Sequence, residues 1–237
     1  MCAMTIADNL SAIRERIARA AQRAGRNAND IALMAVTKTF PAERILEAYQ
    51  AGQRLFGENR VQEFADKFAA LSELREAKFH MIGHLQSNKA AKAVEVFDAI
   101  DSLDSAKLAG RLNTSAEELG KTLDVLVEIN VGGEATKSGI APNSAELDTI
   151  LAAAFLWRNL RIRGLMTVPP FTEDPEGARP YFRQLRELRD RLAARNLSSV
   201  GLDVLSMGMS HDFEVAIEEG STCVRLGTAI FGTRAKP

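Results

Sequence analysis

Lys38 closes the stretch Ile31-Ala32-Leu33-Met34-Ala35-Val36-Thr37, which is apolar apart from its last residue. A lysine amine at the end of such a run stands at the boundary between an apolar interior and water. Partial desolvation there lowers its pKa and supplies the neutral amine that attacks a carbonyl carbon. A lysine that lays its stem along apolar surface and reaches solvent with its ammonium has the same signature, so Lys38 needs company before a role is assigned.

Two segments near the other end of the chain supply it. Ser206-Met207-Gly208-Met209-Ser210 follows an apolar run and precedes a helical pattern with Phe213, Ala216 and Ile217 on one face. Small residues there let backbone amides approach an anion, Ser210 offers a hydroxyl or a helix cap, and the helix start adds a favourable dipole. A turn with an ordinary N-cap serine accounts for this segment taken alone. Val224-Arg225-Leu226-Gly227-Thr228 again puts a glycine and a hydroxyl at the end of an apolar run. Together the two loops predict a small ligand with a phosphate handle, and the amine at Lys38 predicts that the ligand is an aldehyde or ketone. Pyridoxal 5′-phosphate fits that description, with its aldehyde on lysine and its phosphate at the far end; a sugar phosphate fits it less specifically.

Further polar residues lie at the ends of apolar runs. Asn59, after Phe56-Gly57-Glu58, suits a contact to a ligand ring or an N-cap for the next helix. His84 follows Ile82-Gly83 and faces either the ligand or solvent, whereas His80, inside its run, reads as a satisfied core histidine. Met166 after Gly164-Leu165 suits packing as well as a ligand contact. His211 and Asp212 read as a solvated helix start, and Lys137 as a loop lysine able to extend over a binding site.

The elements that must position these residues come from periodicity. Short apolar, β-branched runs at Ile31–Thr37, Arg54–Gly57, Phe79–Gly83, Ala99–Ser102, Asp124–Asn130, Ile162–Leu165, Val204–Ser206 and Cys223–Gly227 predict eight strands. Several are continuously apolar, as strands buried on both faces of a parallel sheet are. Between them Leu108, Leu112 and Leu119, and Phe182, Leu185, Leu188 and Leu192, recur at helical spacing. Asn143 with Glu146 resembles a capping box, Pro41 suits a first helical turn, and an additional helix with Leu10, Ile13 and Ile17 on one face precedes the first strand. Strands alternating with helices predict right-handed βαβ units, and eight of them fit a closed (β/α)8 TIM barrel over residues 1–237 as one domain. An open dinucleotide-binding sheet would need a Gly-x-Gly-x-x-Gly turn where the first strand instead runs into Val36-Thr37-Lys38-Thr39-Phe40-Pro41. In a barrel the active site forms at the C-terminal strand ends, and phosphate is often held after strands seven and eight.

Thirty basic and thirty-one acidic residues leave a net charge of −1, which provides no global field for nucleic acid or an anionic membrane. The longest wholly apolar run, Leu151 to Trp157, falls far short of the roughly 20 residues of a membrane span, so a cytoplasmic protein is expected. Cys2 and Cys223 are too few for a disulfide framework or a thiolate metal site. No large apolar stripe argues for an oligomer, and a monomer is expected.

The segments Ala35-Val36-Thr37-Lys38, Phe56-Gly57-Glu58-Asn59-Arg60-Val61-Gln62-Glu63, His80-Met81-Ile82-Gly83-His84-Leu85-Gln86-Ser87-Asn88-Lys89, Gly164-Leu165-Met166-Thr167, Leu205-Ser206-Met207-Gly208-Met209-Ser210 and Val224-Arg225-Leu226-Gly227-Thr228-Ala229-Ile230-Phe231-Gly232 closely resemble the pyridoxal phosphate homeostasis protein family, in order and across nearly the whole chain. The resemblance implies a barrel like the N-terminal domain of alanine racemase (the type III fold of pyridoxal phosphate proteins), without that enzyme's second domain. It implies that Lys38 carries the cofactor as an internal aldimine and that Ser210, Gly227 and Thr228 hold the phosphate. It also implies Arg225 near the pyridine nitrogen or the phosphate and Asn59 near the ring, with His84, Met166 and Ser206 completing the expected cofactor contacts. Thr37 stands where the family often has serine, and Thr167 where a small apolar residue is expected.

The family is associated with holding the cofactor, delivering it to apo-enzymes and balancing vitamin B6, rather than with robust catalysis. The residues agree with that implication. Racemisation needs a proton donor on each face of the substrate carbon, and the two tyrosines, Tyr49 and Tyr181, both fall in predicted helices. A permanently protonated Arg225 facing the ring nitrogen would weaken the ring as an electron sink. The alternative is a weak amino-acid racemase or related proton-transfer enzyme with His84 as second acid/base.

Overall fold

The computed structural model describes residues 5–134, 137–197 and 199–232. Its strands are β1 (Ala32–Val36), β2 (Leu55–Glu58), β3 (Lys78–Met81), β4 (Ala99–Leu103), β5 (Leu123–Glu128), β6 (Leu160–Met166), β7 (Val200–Ser206) and β8 (Cys223–Leu226). All pair in parallel in chain order, and β8 closes the barrel on β1 with Ala32 opposite Cys223 and Ala35 opposite Leu226. Each of the eight apolar runs is therefore a strand. β6 and β7 begin earlier than predicted because Leu160 and Val200, beyond the continuous apolar stretches, still pair with their neighbours.

The helical layer comprises α1 (Ile6–Arg23), α2 (Ala42–Gln50), α3 (Val61–Leu71), α4 (Ala90–Val96), α5 (Ala106–Glu118), α6 (Ala145–Ala153), α7 (Arg179–Ala193), α8 (Phe213–Glu218) and α9 (Thr228–Phe231). The additional helix α1 starts in a reciprocal capping box between Thr5 and Asp8 and buries Leu10, Ile13 and Ile17. Arg16 Nε reaches Glu214 at 2.8 Å and Asn9 Nδ2 donates to the Ile230 carbonyl at 2.8 Å, so α1 braces α8 and α9 at the seam where the barrel closes. Elsewhere the outer strand faces pack on helices through side chains such as the Phe56, Phe64, Phe79 and Phe97 cluster, with Phe64 centred 4.7 Å from both Phe79 and Phe97. On α7, Phe182, Leu185, Leu188 and Leu192 are all buried, as their spacing predicts.

Three local expectations are corrected. Leu119 lies just past the end of α5 and is 49% exposed, so only Leu108 and Leu112 belong to the buried face. Ser144, not Asn143, caps α6 by accepting from Leu147 N at 3.3 Å. Glu146 instead accepts from Ala106 N at 2.6 Å, a tertiary bond to the start of α5 that outcompetes the local box. Pro41 occupies the N-cap of α2, one position before the first turn. Cys223 is buried in β8 with its thiol pushed up to about 12 by burial, while Cys2 lies outside the described residues. Among the described residues no helix is long and apolar enough to cross a membrane.

Candidate functional site

Lys38 is the second residue of a tight turn that leaves β1, closed by Phe40 N donating to the Thr37 carbonyl at 3.0 Å. Because β8 is the neighbour of β1, the loop after β8 emerges beside it. A Cβ on Gly227 would stand 3.2 Å from the Val36 carbonyl oxygen, so glycine lets that loop lie against the end of β1. The loop after β7 bends at Gly208, where φ is +93° and a Cβ would come 2.5 Å from that of Ala216. Ala229 N, in the first turn of α9, donates to Ser210 Oγ at 3.4 Å and ties the loops after β7 and β8 together.

These elements enclose a cavity of about 390 Å³ at the C-terminal ends of the strands. Lys38, Asn59, Ser210, Arg225, Gly227 and Thr228 all line it, with Ile82 and Val168 as apolar walls. Arg225 is its buried floor: Nη1 donates to Ser206 Oγ at 2.7 Å and Nη2 to the Thr167 carbonyl at 2.8 Å. Burial pushes the guanidinium below its ordinary value while Cys223, Asp101 and Glu128 pull it back, and a group so basic to begin with stays cationic. An amine, a buried cation, two hydroxyls and a glycine turn therefore surround one small space. Such a set can hold an anionic handle at one end and present a nucleophile to a carbonyl at the other.

Most of the other predicted residues stand off the cavity wall. His84 is half-exposed and pairs with Asp104 at 3.0 Å. Met166 and Ser206 are fully buried, and Ser206 serves as the acceptor for Arg225. His211 does line the cavity; its Nε2 meets the Glu173 carbonyl at 3.0 Å and its ring lies 5.5 Å from that of Phe171. Asp212 is buried rather than solvated; it is the N-cap residue of α8 without a side-chain cap bond, and its Oδ1 instead accepts from Met209 N at 2.6 Å, back across the loop after β7. Lys137 Nζ donates to the Pro169 carbonyl at 3.2 Å, joining the loops after β5 and β6. His80 pairs with Asp101 at 3.0 Å in a separate cavity of about 520 Å³ at the opposite end of the barrel, where the strands begin. Tyr49 and Tyr181 lie in α2 and α7.

The profile described as "Alanine racemase, N-terminal domain" matches residues 9–235. The pyridoxal phosphate homeostasis protein of Aquifex aeolicus (strain VF5) is 47% identical over 231 residues, 98% of this chain and 99% of that protein. The chain belongs to this family. The homeostasis protein of Escherichia coli (strain K12) is 45% identical over 234 residues, 97% of each chain. Among solved structures, PipY of Synechococcus elongatus PCC7942 with pyridoxal phosphate bound has a TM-score of 0.83 and 38% identity, covering 96% of this chain and 100% of that one. Alanine racemase from Streptomyces coelicolor A3(2) shares the fold at a TM-score of 0.69 and 20% identity, with 95% of this chain covering 59% of that one.

One residue of this family member escaped the sequence reading. Glu128 ends β5 in register with Met166 and, through it, with Ser206. It is 7% exposed, and its Oε2 finds no hydrogen-bond partner among the described residues. Burial and the nearby Asp104 raise its carboxyl to about 7, against the pull of Arg225. The available signal was a charged residue directly after the apolar run Val125-Leu126-Val127, in a fold whose strand ends carry function.

Proposed function

We propose that this chain binds pyridoxal 5′-phosphate through Lys38 and acts as a carrier in intracellular vitamin B6 homeostasis. The observation that carries the reading is that Lys38, Asn59, Ser210, Arg225, Gly227 and Thr228, separated by up to most of the chain, line one cavity at the barrel mouth. The names of the relatives and the cofactor in PipY support it.

The cofactor supplies an aldehyde that an amine captures reversibly as a Schiff base. Lys38 provides that amine, giving the covalent aldimine. Ser210 and Thr228 would offer their hydroxyls and Gly227 its backbone to the phosphate, with Arg225 supplying a fixed positive charge to the same cavity. Asn59 bounds the ring. Ser206 acts behind these residues by holding Arg225 in place, while His84 and Met166 do not line the cavity. Reversible capture limits stray reactions of a free aldehyde with cellular amines and allows release to apo-enzymes. We read the working form as a cytoplasmic monomer built from one domain.

Lys38→Ala should abolish the visible absorbance that the cofactor gains on binding. An unchanged spectrum removes Lys38 from the reading.

Glu128 favours a second reading, a weak racemase or related proton-transfer enzyme. Its strand, β5, lies across the closed barrel from β1, so a carboxyl with a value of about 7 stands on the opposite wall from the strand that leads to Lys38. Incubation with single-enantiomer amino acids in deuterated water separates the two. Exchange at the α-carbon at enzyme-like rates supports this second reading, and its absence supports the carrier.

A further inference from the structure

The turn that carries Lys38 is held on both sides by one polar chain that runs from the buried Thr37 and Glu58 out to the exposed Thr39. Thr37, the residue before Lys38, donates its hydroxyl to Glu58 Oε1 at 2.8 Å. Thr39, the residue after it, donates its backbone N–H to Glu63 Oε1 at 2.6 Å. Lys67 Nζ joins the two carboxylates, 3.0 Å from Glu58 Oε1 and 3.0 Å from Glu63 Oε1. The chain thus runs from Thr37 through Glu58, Lys67 and Glu63 to Thr39. It links the ends of β1 and β2 to one face of α3, which presents Glu63 and Lys67 one helical turn apart.

Two features go beyond what stability requires. Thr39 has φ of +68° at the third position of its turn, a left-handed conformation that glycine and asparagine adopt readily and β-branched residues rarely do. Such strain persists where the surroundings over-determine it, and it concentrates at functional sites. Glu58 is fully buried, shares a single oxygen between Thr37 and Lys67, and leaves Oε2 without a partner among the described residues. Burial raises its carboxyl above the usual range, with Lys67 and Thr37 opposing. A buried ion pair contributes little net stability compared with apolar residues of the same shape, so its presence behind this one turn points to specification of geometry.

We propose that Glu58, Lys67 and Glu63 are positioning residues that lock the Thr37–Phe40 turn and so aim the Lys38 amine into the mouth cavity before any ligand arrives. The inference rests on Lys38 being the amine that captures the aldehyde. A preset turn spares binding the ordering of the nucleophile and keeps the amine on one trajectory. Glu63 and Lys67 lie outside the cavity wall and act through the backbone on either side of Lys38.

Glu63 supplies the cleanest test, because it is partly exposed and its loss leaves the Glu58–Lys67 pair in place. Glu63→Ala removes the acceptor for Thr39 N; Glu63→Gln restores an acceptor oxygen. Two measurements apply: hydrogen exchange of the Thr39 amide in ligand-free protein, and affinity for pyridoxal 5′-phosphate followed by visible absorbance. Glu63→Ala should speed exchange and weaken binding, each by about tenfold, the worth of one hydrogen bond to a charged group, and Glu63→Gln should recover most of both. Lys67→Met should shift both in the same direction as Glu63→Ala.

Wild-type exchange and affinity in Glu63→Ala would overturn the proposal, as would an equal loss in Glu63→Gln. If Lys67→Met does not fold, the two Glu63 variants still decide. If wild-type protein shows no visible band that Lys38→Ala removes, the assignment of Lys38 fails instead. A band that persists with wild-type affinity and exchange in Glu63→Ala removes only the positioning role.

Discussion

Arg225 and Ser206 hold each other across neighbouring strands: Nη1 on β8 donates to the hydroxyl oxygen on β7 over 2.7 Å, with both side chains shut off from solvent. The other arm of the guanidinium is committed to the Thr167 carbonyl at 2.8 Å. A buried cation with a bond from each Nη group has a fixed direction, and here that direction sets the floor of the mouth cavity. Thr167, where a small apolar residue was expected, also donates its hydroxyl to the Ile129 carbonyl at 2.6 Å and so anchors the carbonyl that Arg225 uses.

Ser206→Ala leaves one guanidinium donor buried without an acceptor. The expected cost is about 1–3 kcal/mol of folding stability, read from urea denaturation, because an unsatisfied buried donor retains its desolvation penalty. Stability equal to wild type would mean that Arg225 finds another partner and that the Ser206 contact is dispensable.

Glu128 makes stability depend on pH. Its carboxyl in the folded protein is raised from 4.5 to about 7, so folding favours the protonated form. The sign follows: between about pH 4.5 and 7 the unfolded chain has released this proton while the folded one still holds it, and stability falls as pH rises through that window. Glu128→Gln removes the titration. Relative to wild type the variant should gain up to about 3 kcal/mol between about pH 5 and pH 8, measured by denaturation at each pH. A difference that does not change with pH would sink the assignment.

Gly208→Ala tests the loop after β7. The added Cβ meets Ala216 at 2.5 Å, and alanine must also adopt φ of +93°. Strain of this kind costs about 1–3 kcal/mol, and the clash adds to it. Thermal unfolding should shift down, and affinity for inorganic phosphate or for pyridoxal 5′-phosphate should drop because Ser210 sits two residues away. Unaltered stability and affinity would show that the loop relaxes without consequence.

Much of this molecule is legible without coordinates. Ile31 to Val36 announces a strand, buried along Met34, Ala35 and Val36 though open at Ala32, and Phe182, Leu185, Leu188 and Leu192 announce the buried stripe of a helix, because burial periodicity is a local property of the chain. Lys38, Ser210, Gly227 and Thr228 were legible for the same reason: each sits where an apolar run stops, and the rule that barrels use that end did the rest. Local reading failed where a distant partner outbid a near one. Glu146 looked like half of a capping box and instead serves Ala106 N, on a different helix.

What the sequence by itself determined is the order of strands and helices, and which residues stand at the strand ends. Only the tertiary structure decided which way those residues face and what they meet. Arg225 finds Ser206 and Thr167, His84 turns to Asp104, Glu128 keeps an oxygen without a partner among the described residues, and Glu58 joins Lys67 behind Lys38. The reason is physical: inward or outward orientation follows from the register between strands and the closure of β8 on β1, and register is set by pairing between segments far apart in the chain.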